Sequence, residues 1–266
     1  MRQIRIATLA RIKPGCLGRV GVYLARHRLG RVVLLHSHGL PVALKDTLVS
    51  GLASSGVAAV FAEPVVDASF EAVSRLVTRL PAGVEGLVGL GGGRALDAAK
   101  YVATMLGLPY VAVPTSVSND GFCSPLASLT VGGARRTLPC EVPFGVVVDT
   151  EVCLGAPREL WLAGIGDLVA KLTAVQDWKL AFHADGTPID DYAALVSDAS
   201  VAQFMARPAR DLEGMRLLAT ALLLNGLAME MAGSSRPASG SEHLVSHALD
   251  ASSAHPRTHG LQVGLA

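Results

Sequence analysis

Four of the eight histidines in this 266-residue chain lie within residues 239–260, in the stretch SGSEHLVSHALDASSAHPRTHG. His243 and His247 are four residues apart, so they share one face of a helix, about 6 Å apart along its axis. His259 lies on a later segment that could fold back towards them, whereas His255 precedes a proline and is predicted to lie in a loop. Imidazole is a common metal ligand, so this stretch is a candidate for part of a metal site.

A further ligand is needed, because a catalytic zinc ion takes three protein ligands and keeps one position open for water or substrate. The natural candidate is an acid in the same half of the chain, where GIGDLVAK places Asp167 at a helix start. A lone histidine is more often structural, and this remains the alternative interpretation. Three histidines together with an acid in one apolar region favour the metal site.

A glycine-rich turn lies in EGLVGLGGGRALDAAK, where Gly91, Gly92 and Gly93 end a predicted strand and a helix starts near Arg94. Glycines let the backbone approach a phosphate closely, and the free N–H groups of a helix start favour an anion. The pattern is not the usual dinucleotide fingerprint, because it departs from G-x-G-x-x-G and follows an interior strand. A tight turn without a ligand is therefore an equal alternative.

A second turn, VPTSVSNDGFCSP, also leaves a strand end and is rich in hydroxyl groups that can bond phosphate or ribose oxygens. Asp120 precedes a glycine in this turn. It is either a turn residue, since Asp-Gly favours turns, or a carboxylate offered to a hydroxylated substrate. The hydroxyl groups belong to Thr115, Ser116, Ser118 and Ser124.

An α/β first half is predicted to position both turns. Continuous apolar runs bounded by Gly, Pro or Ser are typical of parallel strands covered by helices on both faces. Helical patterns such as LPVALKDTLVSGLAS and SFEAVSRLVTRL between them are long enough for crossovers. The pattern predicts a doubly wound parallel sheet, with ligands beyond the carboxyl ends of its strands. The predicted strands are residues 31–37, 57–63, 85–93, 109–116 and 144–150.

The second half carries helical spacing almost throughout, and the β-branched runs disappear after residues 156–157. We therefore predict two domains, an α/β domain over residues 1–155 and an all-α domain over residues 156–266. The most apolar stretch, LLATALLLNGLAMEMAG, contains Asn225 and Glu230 and is predicted to form a buried helix.

Composition excludes several classes of partner. The net charge of +1 provides no general attraction to nucleic acid, and no run of 18 uncharged apolar residues predicts a membrane span. The N-terminus lacks the apolar core of a secretory signal. Four scattered cysteines without a CxxC pair indicate reduced thiols. We expect a cytoplasmic homo-oligomer that acts on a small molecule.

Five segments in this order resemble the dehydroquinate synthase-like superfamily, which includes the metal-dependent polyol dehydrogenases. They are GGGRALDAAK, PTSVSNDGFCSP, GIGDLVAK, SSRPASGSEHLVSH and THGLQVG. The SNDG turn and SSRPASGSEH most resemble the sn-glycerol-1-phosphate dehydrogenase family. The resemblance runs from about residue 85 to the end.

The resemblance implies an NAD(P)-binding α/β domain and a helical domain that binds a divalent ion. It implies that Asp167, His243 and His259 are metal ligands and that His247 and Asp120 contact the substrate. Lys171 is expected either to touch the substrate or to be an ordinary solvated lysine. The implied cofactor-binding residues are Gly91, Gly92, Gly93, Arg94, Ala95, Leu96 and Asp97 for the pyrophosphate and Thr115, Ser116, Ser118 and Ser124 towards the nicotinamide.

The implied reaction is reversible hydride transfer between dihydroxyacetone phosphate and sn-glycerol 1-phosphate. Arg236 is our candidate for the substrate phosphate. The strand RVVLLHS ends in His36, Ser37 and His38 without an acid to bind the adenosine ribose, and Glu63 lies on the next strand, so either NAD or NADP is expected. The ion is expected to be zinc, with nickel or iron as alternatives.

The family resemblance also implies further helices after HGLQVGLA, so we expect the helical domain to be incomplete in this chain. Three alternatives stay open. Two are on the same fold, a glycerol dehydrogenase and a 3-dehydroquinate synthase-like enzyme. The third is an inactive nucleotide-binding remnant.

Overall fold

A computed structural model describes residues 3–253 and 257–266. The predicted loop position of His255 lies outside the described residues. The chain divides into two compact units. The sheet unit comprises Ile6–Thr115 and Pro125–Cys153, and the helical unit comprises the described parts of Met1–Arg5, Ser116–Ser124 and Leu154–Ala266.

The sheet unit contains a parallel sheet of six strands among the described residues. The strands are β1 (Leu9–Lys13), β2 (Arg31–Ser37), β3 (Ala58–Val65), β4 (Gly86–Gly91), β5 (Tyr110–Pro114) and β8 (Gly145–Asp149). Their order in the sheet is β1-β8-β5-β4-β2-β3. The central strands β4, β5 and β8 are buried along their whole length, which confirms the parallel sheet predicted from the continuous apolar runs.

Helices connect these strands. They are α1 (Val20–Arg26), α2 (Val42–Ala53), α3 (Phe70–Arg79) and α4 (Gly93–Leu106), followed by α5 (Thr150–Gly155), which runs into the second unit. Helices α2 and α3 confirm the two predicted crossover helices. Aliphatic side chains from α1, α2 and strands β2, β4 and β5 form one buried cluster. Helix α4, which follows the glycine-rich turn, is closed by the left-handed backbone of Gly107.

An antiparallel hairpin in the sheet unit was not predicted. Strands β6 (Leu126–Val131) and β7 (Ala134–Pro139) pair in register around Gly132 and Gly133, which have φ values of 57° and 79°. Two successive residues with positive φ make the tight turn that hairpins prefer, and Gly-Gly is one of its sequence signals.

The helical unit confirms the all-α second half. It contains α6 (Arg158–Asp185), α7 (Asp191–Met205), α8 (Leu212–Ala232), α9 (Ser241–Ser252) and α10 (His259–Val263). Helix α8 has the length and apolarity of a membrane-crossing helix, but 61% of its apolar window is buried inside the protein. Its Asn225 amide bonds the hydroxyls of Ser197 and Ser200, as expected for a core helix.

Residues 116–124 belong to the helical unit, although the sequence prediction placed them in the α/β domain. The reason is close backbone contact. A Cβ atom at Gly164 of α6 would collide with the carbonyl oxygen of Val117, and one at Gly226 of α8 would lie 2.6 Å from the carbonyl oxygen of Cys123. Because Gly164 and Gly226 have no side chain, this loop packs directly against the backbone of α6 and α8.

Candidate active site

One carboxylate and two imidazoles converge inside the helical unit. Asp167 of α6, His243 of α9 and His259 of α10 each present a ligand atom, and these three atoms lie within 4.8 Å of one another. Asp167 and His243 are buried, with 1% and 9% of their surface exposed. The rings of His243 and His259 meet edge to face, with centroids 4.9 Å apart.

Glycines on two helices bring His259 to Asp167. A Cβ atom at Gly166 would collide with the carbonyl oxygen of Gly260, and one at Gly260 would collide with that of Ala163. A Cβ at Gly264 would lie 2.5 Å from the Gly166 Cα. Helix α10 therefore packs backbone to backbone on α6, immediately beside the Asp167 position.

We expect Gly260→Ala to displace α10 and move His259 away from Asp167. The added methyl group meets backbone atoms, which cannot rotate aside, so overpacking should lower the free energy of unfolding by about 1–3 kcal/mol. Denaturant unfolding and zinc content measure both effects. Gly155→Ala is the matched control, because a Cβ there meets no described atom within 4 Å. Native stability and zinc content in Gly260→Ala would contradict the packing explanation.

The second ring nitrogen of each histidine is already engaged. His243 Nδ1 lies 2.7 Å from Glu242 Oε1, and His259 Nδ1 lies 3.0 Å from Ser246 Oγ. His243 Nε2 lies 3.9 Å from Asp167 Oδ1. Metal-binding histidines usually have this arrangement, in which one nitrogen bonds a supporting group and the other faces the ion.

The donor set fits a divalent cation. Ligand atoms in a tetrahedral zinc site lie roughly 3.3–3.5 Å apart, so small side-chain rotations would close the present separation of up to 4.8 Å. A carboxylate with two imidazoles suits zinc and the other divalent transition metals. The burial of Asp167 strengthens the fit, since a buried charge needs compensation.

Lys171 lies one turn after Asp167 and is fully buried. Its ammonium lies 2.8 Å from Asp120 Oδ2 and 3.2 Å from Asp167 Oδ2, and it donates to the Ala238 carbonyl oxygen at 3.0 Å. Burial, the largest influence, lowers the pKa of Lys171, but the two carboxylates outweigh it and raise that pKa above its ordinary value.

This arrangement contradicts the expectation of a solvated lysine, because Lys171 is buried and its three N–H donors have three acceptors. Contact between Lys171 and the substrate stays a prediction. Asp120 is held by its ion pair with Lys171, and its own N–H donates to Asp167 Oδ2 at 3.1 Å. Lys171 thus ties three of the motif segments together at the candidate metal site.

His247 lies on α9 one turn after His243 but is exposed. Its ring stacks near that of His259, with centroids 6.1 Å apart. The four-residue spacing thus places both α9 histidines beside His259, and burial distinguishes the candidate ligand from the solvent-facing ring.

The glycine-rich turn in the sheet unit has two different kinds of glycine. Gly91 has a φ of 134°, and a Cβ there would collide with Ser37 Oγ. Gly92 donates its N–H to that same Ser37 oxygen at 3.0 Å. In the described residues, a Cβ at Gly92 or Gly93 would meet no atom within 4 Å. The open space over these two glycines is a cradle that a phosphate could fill.

Helix α4 starts at this cradle. The N–H groups of Ala95 and Leu96 bond the Gly92 carbonyl oxygen, so Gly93 and Arg94 supply the first N–H groups that no helical carbonyl can accept. Arg94 is exposed, whereas the side chains of Ala95 and Leu96 are buried in the core. Only backbone atoms of the last two could therefore face a phosphate.

The carboxylate of Asp97, which is predicted to lie at the pyrophosphate, contacts a lysine of the same helix. It is buried and lies 3.7 Å from the ammonium of Lys100, which donates to the Leu126 carbonyl oxygen of β6 at 2.6 Å. Burial raises the pKa of Asp97, and the nearby Lys100 partly offsets this. The pair fixes the hairpin to α4.

The predicted hydroxyl cluster is divided between the units. Thr115 donates its N–H to the Gly91 carbonyl oxygen at 3.1 Å, which places it beside the glycine cradle. Ser116, Ser118 and Ser124 belong to the helical unit. Ser124 is buried, whereas Ser116 and Ser118 are partly exposed.

Two further sequence predictions concern charged side chains. The Arg79 guanidinium donates to both carboxylate oxygens of Glu63, at 3.0 and 2.7 Å. Next to the cradle, Ser37 offers a hydroxyl that accepts from the Gly92 N–H. Arg236 is exposed. Hydrogen bonds from Thr187, with a smaller contribution from the Arg236 charge, hold the pKa of Asp185 below its ordinary value.

That Arg236 binds the substrate phosphate therefore stays a prediction, and its described electrostatic neighbour is Asp185, the last residue of α6.

Three residues near the candidate ligands were not identified from the sequence: Glu242, Ser246 and Gln262. Glu242 precedes His243 directly, and Gln262 follows His259 by three residues, a spacing that shares a helix face. These positions relative to the two histidines can be read from the sequence. However, an acid or amide near a histidine is too common to predict that it supports a metal ligand.

Comparison with known proteins gives consistent matches. Residues 11–157 match the family described as "Iron-containing alcohol dehydrogenase". The chain is 38% identical over 242 residues to "Glycerol-1-phosphate dehydrogenase [NAD(P)+]" of Halorubrum lacusprofundi, covering 87% of this chain and 69% of that protein. It is 44% identical over 195 residues to the protein of the same name from Korarchaeum cryptofilum, covering 68% and 62%. The chain thus spans about two thirds of their length.

Solved structures agree on the fold. A glycerol dehydrogenase from Schizosaccharomyces pombe superposes with a TM-score of 0.85 at 20% identity, covering 99% of this chain and 70% of that one. A probable glycerol dehydrogenase from Sinorhizobium meliloti gives 0.82 at 24% identity, covering 99% and 76%. At such low identity these likenesses concern the fold.

Proposed function

This chain belongs to the iron-containing alcohol dehydrogenase family, and from that premise we propose that it is a metal-dependent, NAD(P)-linked oxidoreductase that interconverts dihydroxyacetone phosphate and sn-glycerol 1-phosphate. The observation that carries the proposal is the convergence of Asp167, His243 and His259 on one point. The substrate follows from the name of the relatives, glycerol-1-phosphate dehydrogenase.

In this proposal Asp167, His243 and His259 hold one divalent ion, with zinc as the first choice and nickel or iron as alternatives. The bound ion supplies a Lewis acid for the substrate carbonyl, and the bound nicotinamide supplies the hydride. The residues around them orient the substrate. Asp120, which is held by Lys171, presents a partly exposed carboxylate that can accept a hydrogen bond from a substrate hydroxyl.

His247 is the chain's own candidate for moving the proton that reduction of a ketone requires. It is exposed, so its ring nitrogens can exchange protons with water. It also lies beside His259, which places it near the candidate ion. Proton transfer from a positioned side chain contributes about 10²- to 10⁴-fold to the rate of such a step.

The cradle at Gly92 and Gly93 is proposed to bind the cofactor pyrophosphate through the N–H groups of Gly93 and Arg94. Thr115 lies at the neighbouring strand end and is proposed to support the nicotinamide side, together with Ser116, Ser118 and Ser124. Because Glu63 is paired with Arg79, no acid is reserved for the ribose at that position, and we propose use of both NAD and NADP.

We expect Gly92→Ala to fold normally but to bind NADH at least about tenfold more weakly, a loss of roughly 1.4 kcal/mol. The backbone at Gly92 has a φ of −87°, which alanine adopts, and its Cβ would occupy the space left for the phosphate. Fluorescence titration with NADH measures the affinity. Gly91→Ala is the contrast, because its φ of 134° and its collision with Ser37 should cost stability. Native NADH affinity in Gly92→Ala would contradict the cradle.

A substrate panel tests the proposed reaction. Purified protein with zinc should oxidise NADH or NADPH with dihydroxyacetone phosphate, and in reverse it should oxidise sn-glycerol 1-phosphate in preference to the 3-phosphate. Dihydroxyacetone and a heptulosonate phosphate serve as the comparison substrates. Turnover with the unphosphorylated ketone alone would overturn the proposal. We also propose a cytoplasmic homo-oligomer, which light scattering and fractionation of cells would test.

A further inference from the structure

We propose that Ser246 and Gln262 are positioning residues that fix the tautomer of His259 and thereby set the affinity of the candidate site for its metal ion. The two side chains form a hydrogen-bond relay between α9 and α10. This inference rests on the proposed metal site at Asp167, His243 and His259.

The direction of each hydrogen bond in the relay follows from its acceptors. Ser246 Oγ lies 2.7 Å from Gln262 Oε1, which can only accept, so the single hydroxyl hydrogen of Ser246 points to Gln262. His259 Nδ1 lies 3.0 Å from the same Ser246 oxygen. Since that oxygen has no second hydrogen to give, His259 Nδ1 must be the donor of this bond.

A neutral imidazole carries one ring hydrogen, so a donor at Nδ1 places the lone pair of His259 at Nε2. This tautomer is required for binding a cation through Nε2. The relay is also enclosed, because Ser246 is fully buried and Gln262 is 7% exposed. Water therefore cannot easily replace either partner.

His243 has the same tautomer, with its hydrogen on Nδ1, but a different group fixes it. His243 Nδ1 faces the Glu242 carboxylate at 2.7 Å, and an ionised carboxylate accepts only. One candidate ligand is thus oriented by a charged group and the other by a neutral relay.

Removal of the relay should weaken metal binding. Without an acceptor at Nδ1, His259 can take the other tautomer, with a hydrogen on Nε2, or rotate its ring. We expect Ser246→Ala and Gln262→Met to bind zinc about 10- to 100-fold more weakly in a chelator competition, as is usual for supporting partners of ligating histidines. Gln203→Met, an exposed glutamine of α7, is the matched control and should bind zinc as the native protein does.

Gln262→Glu tests the direction of the relay. A carboxylate can accept from Ser246 but cannot donate, so zinc affinity in this variant should equal or exceed that of the native protein. Zinc affinity in Gln262→Glu as low as that in Gln262→Met would show that an acceptor at position 262 does not support His259, and this result would overturn the proposal.

Nitrogen-15 NMR of histidine in the metal-free native protein is a direct measurement that requires no variant to fold. Protonated Nδ1 and unprotonated Nε2 at His259 are the expected result, and the reverse assignment would overturn the proposal. The failure of the metal site itself would look different, because the native protein would then bind zinc no better than His243→Ala. Native zinc binding that survives in both Ser246→Ala and Gln262→Met would refute the relay alone.

Discussion

The His243→Ala variant is expected to lose its bound zinc and about 10³-fold in kcat/KM with dihydroxyacetone phosphate, while its affinity for NADH stays close to native. His243 Nε2 faces Asp167 Oδ1 at 3.9 Å, and His259 completes the group. Two remaining ligands rarely hold a zinc ion, and loss of its Lewis acidity forfeits several kcal/mol of transition-state stabilisation, which corresponds to about three powers of ten in rate.

Metal analysis after dialysis, steady-state kinetics and NADH titration together check this expectation. His183→Ala is a suitable control, since His183 is an exposed histidine near the end of α6. NADH binding should persist because the glycine cradle belongs to the sheet unit. Full zinc occupancy in His243→Ala would show that the ligand assignment is wrong.

The sheet was predictable because its central strands are buried on both faces. The middle of β2, VVLL, and the first four residues of β8, GVVV, are uninterrupted by polar residues, and this continuity is what a two-sided parallel strand requires. Strand β1, LARIK, has the same parallel pairing but lies at the sheet edge, where solvent can hydrate the charged groups of Arg11 and Lys13. Its sequence is therefore not a continuous apolar run. Strand β7 is almost entirely exposed, so its sequence lacks the apolar pattern by which a buried strand can be predicted.

The candidate metal ligands were predictable for a different reason. The ordered motifs indicated Asp167, His243 and His259, and the structure brings them together. Spacing alone could not separate His243 from His247, because residues four apart share a helix face. Burial of one and exposure of the other make the distinction, and burial depends on how α9 packs against α6 and α10.

The surroundings of Lys171 and Arg236 could not be predicted from the sequence. Lysine on a helix is usually solvated, yet Lys171 is buried because Asp120, Asp167 and the Ala238 carbonyl come from three separate segments and all require a donor. The charge of Arg236 makes a small contribution to lowering the pKa of Asp185, at the end of α6. No local spacing in the sequence encodes either neighbour.

Substitution of Lys171 should have the largest effect on stability of any change considered for this chain. We expect Lys171→Met to lower the free energy of unfolding by about 3–5 kcal/mol, because removal of one partner leaves buried charge without compensation. Asp167 is 1% exposed and Asp120 is largely covered, so water cannot take the place of the ammonium. Chemical denaturation of the metal-free protein measures the loss.

Lys179→Met is the matched control on the same helix. Lys179 also pairs with an aspartate, Asp198, but at 3.9 Å and with both side chains substantially exposed. Surface pairs of this kind contribute about 0–1 kcal/mol, so the control should be nearly neutral. The double variant Lys171→Met/Asp120→Asn should recover part of the lost stability, since it removes one of the two unpaired carboxylates. Equal, small losses in Lys171→Met and Lys179→Met would mean that the buried ammonium does not hold the site together.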